Sequence, residues 1–160
     1  MTKVLYPGSF DPITKGHMNI IEQASTLFDE IVVTIMQNPT KTTSFFTAKE
    51  RLEMINKLYK NNDNIKVILG DGATVDVAMK NNCKAIIRGL RSLSDYDYEI
   101  GLQQFNKEIS KGAVNTVCLF ADKEFQFVSS NIVKEIFDLG KDITNYVDSF
   151  VLEQMMNKKK

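Results

Sequence analysis

The sequence predicts a doubly wound α/β fold, with five parallel strands and helices on both faces of the sheet. Three observations predict it. Five apolar, β-branched runs recur near residues 3–6, 30–36, 65–69, 84–88 and 115–120, with helix-period stretches between them. The second run, Glu30-Ile-Val-Val-Thr-Ile-Met36, is apolar almost without a break, which suits a parallel strand covered on both faces. The chemically unusual residues fall just after the runs, where ligands bind in sheets of this kind. Ser9 to His17 follow the first run, Lys41 the second, Arg88 to Arg91 close the fourth, and Phe125 to Asn131 follow the fifth.

Val4-Leu5-Tyr6 runs into the stiff turn Pro7-Gly-Ser-Phe-Asp-Pro-Ile-Thr-Lys-Gly-His17, after which Ile20, Ala24, Leu27 and Phe28 stand at helical spacing. His17 is the only histidine and sits in that helix's first turn. A helix start offers unpaired N–H donors and partial positive charge, which suits a phosphate, and Gly16 allows close approach of a ligand. Asp11 is suited to bracing the loop by accepting a backbone N–H. Thr47 and Glu50 have capping-box spacing ahead of Leu52, Ile55 and Leu58. Thr74 or a neighbour opens a third helix reaching about Asn82. Ser94 reads as the cap of a fourth, over about 95–110. Ser129 or Ser130 caps a fifth, carrying Ile132, Val133, Ile136 and Phe137, with Gly140 just past its end. A last short helix starts near Ser149, and Lys158, Lys159 and Lys160 read as its solvated tail.

Composition bounds the function. The length of 160 residues and a hydrophobic share of 43% suit a single domain over 1–160. Twenty basic residues balance twenty acidic ones, so the surplus of positive charge that tracks a nucleic-acid backbone is missing. No apolar run has the length of a membrane span, and the opening residues are too soon broken for a signal peptide. Cys83 and Cys118 have neither metal spacing nor a redox motif. They read as buried free thiols in a reducing, cytoplasmic setting. No Asp-x-Asp or His/Cys cluster suggests a protein-built metal cage, and magnesium commonly rides on substrate phosphates.

Each candidate has a functional and a bland reading. Ser9 is a substrate contact or a turn former, and Lys41 a phosphate ligand or a solvated loop lysine. Arg88 closes the core run Ala85-Ile86-Ile87, so it needs an anion, either a substrate phosphate or a nearby carboxylate. Glu99 contacts a ligand or lies on a solvated helix face.

Thr14-Lys15-Gly16-His17 resembles the T/H-x-G-H signature of the nucleotidyltransferase superfamily. Four stretches resemble the bacterial phosphopantetheine adenylyltransferase family and cover nearly the whole chain in order. They are Tyr6-Pro-Gly-Ser-Phe-Asp-Pro-Ile-Thr14, Arg88-Gly-Leu-Arg91, Asp95-Tyr-Asp-Tyr-Glu99 and Phe127-Val-Ser-Ser-Asn-Ile-Val-Lys-Glu135. The resemblance implies a Rossmann-like nucleotidyltransferase fold and transfer of the adenylyl group of ATP to 4′-phosphopantetheine, giving dephospho-coenzyme A and pyrophosphate. It implies His17, Lys41 and Arg91 as catalytic residues. ATP would be held by Ser9, Phe10, His17, Gly89, Leu90, Arg91 and Glu99, together with Phe125, Gln126, Phe127, Val128, Ser129, Ser130 and Asn131. Phosphopantetheine would meet Ser9, Lys41, Thr74 and Arg88. The resemblance further implies Mg²⁺ carried by ATP, a homohexamer, and coenzyme A as a feedback ligand. The chain departs from the family pattern at Asn131, usually serine, at Phe125, often tryptophan or tyrosine, and at Ala73-Thr74, often Leu-Leu or Leu-Met.

The attacking phosphate of such a reaction is already an anion, so positioning and charge neutralisation must carry the rate. No nucleophile–base–acid triad stands out, in keeping with that. Three other readings compete: transfer to nicotinamide mononucleotide or another small phosphate, a non-catalytic nucleotide sensor, and a flavodoxin-like electron carrier.

Overall fold

A computed structural model describes residues 1–37 and 43–159. Its strands are β1 (Lys3–Gly8), β2 (Glu30–Met36), β3 (Ile65–Gly70), β4 (Ala85–Leu90) and β5 (Asn115–Phe120). Its helices are α1 (Lys15–Leu27), α2 (Ala48–Leu58), α3 (Thr74–Lys80), α4 (Leu93–Ile109), α5 (Ser130–Asp138) and α6 (Ser149–Lys159), with a 3₁₀ turn at Lys123–Phe125. All five expected strands form within about two residues of their expected bounds. They join one parallel sheet in the order β3-β2-β1-β4-β5. The order reverses between β1 and β4, a doubly wound topology distinct from the flavodoxin-like order.

Alternation along the central strands divides the core. Val4, Tyr6, Ile31, Val33, Ile35, Ala85 and Ile87 face a cluster closed by Ile20, Ile21 and Ala24 of α1, Met54 and Ile55 of α2, Val133 and Phe137 of α5, and Val151 and Met155 of α6. Leu5, Val32 and Ile86 face the other way, onto Val75, Val77 and Ala78 of α3. Helix α4 packs against β4 and β5. Burial on both faces explains why the central strands lack polar alternation.

The helix starts follow capping chemistry. Thr14 caps α1 and Thr47 caps α2, each closing a reciprocal pair with the third helical residue, His17 and Glu50 respectively. Ser129 caps α5, and Gly140 follows its end. Several expectations are corrected. The cap of α4 is Ser92, two residues before Ser94, because its hydroxyl accepts from Asp95 N–H. Helix α3 does open at Thr74, with no side-chain cap from Ala73, and ends at Lys80, within two residues of the expected end. Cys118 is exposed, since β5 is an edge strand with one face incompletely covered, whereas Cys83 is buried. Lys158 and Lys159, though exposed, are not a free tail, and Lys160 lies outside the described residues. Lys158 pairs with Glu50 at 2.5 Å, and Lys159 donates to the carbonyls of Phe137 and Asp138 at the end of α5. They tie α6 to the helices it packs on.

Candidate active site

The sheet itself opens the site. Strands β1 and β2 pair from Lys3–Glu30 to Gly8–Ile35, but β1 and β4 pair only at Val4–Ala85 and Leu5–Ile86. Beyond that point the carboxyl ends of β1 and β4 part. Pro7, which has no N–H to donate, falls in the stretch of β1 that β4 no longer pairs. Two clefts form there. The narrower, about 240 Å³, runs between Gly16, His17 and Ile20 on one side and Ile87, Gly89, Arg91 and Val128 on the other. The wider, about 920 Å³, is bounded by Arg51, Thr74, Tyr98, Leu102, Asn131 and Lys134. Pro7, Gly8, Ser9 and Arg88 line both. A ligand in one cleft therefore meets a ligand in the other across Ser9 and Arg88.

His17 is oriented by the residue that caps its helix. Thr14 N–H donates to His17 Nδ1 at 3.0 Å, and the Thr14 hydroxyl lies 3.0 Å from the same nitrogen. A nitrogen that accepts an N–H carries no proton, so the neutral ring bears its proton on Nε2. Burial, and then the nearby Arg91 charge, push the His17 pKa down from 6.5 to about 4. His17 is thus a neutral N–H donor at physiological pH. The Phe10 ring backs it edge-on, 5.0 Å between centroids, and meets Tyr6 in turn at 5.5 Å. Gly8 permits this, since a Cβ there would lie 2.9 Å from the Phe10 ring.

Gly16 lines the narrow cleft and also packs on the loop after β5, whose Val128 and Phe125 carbonyls would lie 3.4 and 3.7 Å from a Cβ there, ordinary contact distances. That loop is pinned to α1 by Asn19, whose amide donates to Asp122 at 2.6 Å while its oxygen accepts Asp122 N–H at 3.0 Å. Asp11 braces the first loop as its residue type suggests. Its carboxylate accepts Phe45 N–H and Phe46 N–H, both at 2.8 Å, and meets Lys134 at 3.3 Å.

The other sequence candidates fall in distinct places. Arg91 donates to Val128 O at 3.0 Å and lies 3.7 Å from Asp95, in the wall of the narrow cleft. Gly89 lines that cleft, while Leu90 is buried beside it. Within the loop after β5, Val128 lines the narrow cleft, Phe125 packs partly buried against the core, and Gln126 and Phe127 are exposed. Ser129 caps α5, and Ser130 turns its hydroxyl to Pro12 O at 2.8 Å. Asn131 and Thr74 line the wider cleft. Lys41 lies outside the described residues.

Arg88 and Glu99 meet each other. Glu99 Oε1 accepts from Arg88 Nε at 2.7 Å and lies 2.6 Å from Nη2. Glu99 is only 8% exposed, so it does not lie on a solvated helix face. The pair consumes one edge of the guanidinium and leaves Nη1 for the partition.

Sequence reasoning missed Arg51, Lys134, Tyr98 and Leu102 as cleft residues. Arg51 and Lys134 stand inside ordinary amphipathic helices, with no local signal to separate them from surface cations. Together the clefts gather Arg51, Arg88, Arg91 and Lys134 in a chain of zero net charge, a lining suited to phosphate groups. Among the described residues, no three His, Cys, Asp or Glu side chains are placed to hold a metal ion. The narrow cleft presents His17, Arg88 and Arg91 and no carboxylate among its described lining, which does not fit a bare divalent cation. Among the described residues, no helix is long and apolar enough to cross a membrane.

Comparison with known proteins agrees with this geometry. The cytidylyltransferase-like family matches residues 5–136. The chain is 43% identical over 154 residues to the phosphopantetheine adenylyltransferase of Leptospira biflexa, covering 96% of this chain and 95% of that one. It is also 43% identical over 157 residues to that of Finegoldia magna, covering 98% and 96%. The fold superposes on Plasmodium falciparum nicotinic acid mononucleotide adenylyltransferase in complex with NaAD, at a TM-score of 0.71 and 20% identity over 98% and 96% of the two chains. With that identity over nearly its full length, the chain belongs to the phosphopantetheine adenylyltransferase family, within the cytidylyltransferase-like nucleotidyltransferases.

Proposed function

We propose that this protein transfers the adenylyl group of ATP to 4′-phosphopantetheine, giving dephospho-coenzyme A and pyrophosphate, a step of coenzyme A biosynthesis. The observation that carries this reading is the pair of clefts meeting at Ser9 and Arg88. One cleft combines apolar walls at Ile20, Ile87, Ala121 and Val128 with His17 and Arg91, and suits a nucleotide. The other, at about 920 Å³, has the volume to take a pantetheine arm and bears Thr74 and Asn131.

In this reading ATP occupies the narrow cleft, with its α-phosphate at His17 and the Gly89–Arg91 segment, and its β- and γ-phosphates toward Arg91. The loop from Phe125 to Asn131 closes over the nucleotide. The acceptor phosphate lies at Ser9, Arg88 and Lys41, with the arm running past Thr74. An oxygen of that phosphate attacks the α-phosphorus in line. A new P–O bond forms as the bond to the β-phosphate oxygen breaks, and pyrophosphate leaves. His17 Nε2–H and Arg91 stabilise the charge that gathers on the α-phosphate oxygens. No covalent enzyme intermediate is needed, because the attacker is already an anion. Mg²⁺ enters as part of the ATP substrate.

The protein acts in the cytoplasm as a homohexamer and takes coenzyme A as a feedback ligand in the same clefts. An exposed apolar stripe on α4, with Phe105 at 65% and Ile109 at 52% exposure, supports a second copy of the chain covering this face. The functional test is pyrophosphate release with ATP and each acceptor in turn. Turnover on phosphopantetheine is expected. Turnover on nicotinamide mononucleotide but not on phosphopantetheine overturns the assignment.

A further inference from the structure

We propose that Arg51 is a positioning residue for the transfer step, acting by holding the Ser9–Phe10 peptide at the wall between the two clefts. The inference rests on the adenylyl-transfer reading above and adds a residue to it. Arg51 leaves the first turn of α2 and is only 8% exposed. Its Nε donates to Thr47 O at 3.3 Å, which fixes the direction of the guanidinium, and its Nη1 donates to Ser9 O at 2.5 Å. The bonded carbonyl belongs to the peptide that sets the backbone angle of Phe10. Phe10 has a φ of +47°, in the left-handed region that a bulky L-residue rarely adopts. Such a conformation persists only where its surroundings over-determine it.

The surroundings do so here from several sides. Arg51 holds the carbonyl before Phe10. Asp11, just after it, is held by Phe45 N–H, Phe46 N–H and Lys134, and Pro12 O accepts the Ser130 hydroxyl. Of these clamps, only Arg51 acts on the strained peptide itself. Its release lets that peptide rotate and Phe10 relax to negative φ. Ser9 then turns out of the partition, and the Phe10 ring withdraws from His17. Both changes displace groups at the reacting phosphates while leaving the nucleotide walls at Ile20, Ile87 and Val128 in place. Arg51 therefore governs turnover more than binding. A lysine does not replace it, because one ammonium lacks the paired Nε and Nη1 donors in their fixed fork.

The test compares Arg51→Lys and Arg51→Ala with the parent enzyme, below their thermal midpoints, by steady-state pyrophosphate release with ATP and phosphopantetheine varied separately. The expected fall in kcat is about tenfold or more for Arg51→Lys and about a hundredfold for Arg51→Ala, with both KM values within about threefold of the parent. Added guanidinium chloride at sub-denaturing concentration should restore part of the kcat of Arg51→Ala and none of any deficit that follows from packing alone. Three results overturn the proposal. One is a kcat within about threefold of the parent in both variants. Another is a KM for phosphopantetheine raised about tenfold at unchanged kcat, which makes Arg51 a direct substrate ligand. The third is no rescue by guanidinium. Should Arg51→Ala fail to fold, Arg51→Lys carries the kinetic test. Lack of turnover by the parent overturns the functional reading instead, and the variants are then read on the acceptor the parent does use.

Discussion

Replacing His17 with alanine removes one N–H donor from a wall that is otherwise preserved. The donor is Nε2–H, because Nδ1 is occupied by Thr14 N–H at 3.0 Å. Loss of one preorganised donor to a developing oxyanion costs about a hundredfold to a thousandfold in kcat, or roughly 3–4 kcal/mol of barrier. Ground-state binding loses much less, so the KM for ATP should stay within a few-fold. Protonation offers a second arm of the test. The His17 pKa is held near 4, so the ring is neutral across the working range. The parent kcat should show no limb with a midpoint near 6.5 that disappears in His17→Ala. The same depression has a consequence for folding. Between pH 6.5 and 4 the unfolded chain takes up the proton first, so stability falls as pH falls through this window. The shift from 6.5 to about 4 corresponds to about 3 kcal/mol, fully present above pH 6.5. Kinetics with both substrates from pH 5.5 to 9, with calorimetric titration of ATP, provide the assay. Turnover surviving within about fivefold in His17→Ala refutes the catalytic role, and a His17-dependent limb near pH 6.5 refutes the neutral donor.

Arg88→Ala should weaken phosphopantetheine more than ATP by calorimetry, and equal weakening of both refutes the assigned contact. It also strands the buried Glu99 carboxylate at a cost of about 2–4 kcal/mol, and Arg88→Ala/Glu99→Gln should recover stability in denaturant melts without recovering affinity. Gly8→Ala drives a methyl to 2.9 Å from the Phe10 ring, so a loss of about 1–3 kcal/mol and a fall of several degrees in Tm are expected. A Tm unchanged by Gly8→Ala means the ring is not confined there. Phe105→Glu places a charge on the exposed stripe of α4 and should shift the mass by light scattering from that of the proposed hexamer to a smaller species; an unchanged mass removes this face from the proposed interface.

The strands were legible because each carries its own evidence. A parallel strand buried on both faces must be apolar nearly throughout, and that demand is visible in six consecutive residues. The helix starts at Thr47 and Ser129 were legible for a similar reason, since a cap and its partner lie three residues apart. Ser92 was missed in favour of Ser94 because two hydroxyl residues so close to a helix start differ only in the backbone angles they adopt. Cys118, Lys158 and Lys159 were misread because their surroundings come from elements far along the chain. Lys158 meets Glu50 across 108 residues. Asp11 was readable as a brace, but its partners at Phe45, Phe46 and Lys134 were not.

By itself the sequence determined the order of strands and helices, the loops that follow the strands, and the family those loops resemble, because all of these are patterns among near neighbours. Only the tertiary structure decided that β1 and β4 part after two paired positions, and so that two clefts share one wall. It also decided which anion faces Arg88 inside the protein, which nitrogen of His17 carries the proton, and that Arg51 reaches back to Ser9. Arg51 reaches back across 42 residues, and even the His17 tautomer, set by Thr14 three residues away, depends on where a side chain points, a direction no local periodicity encodes.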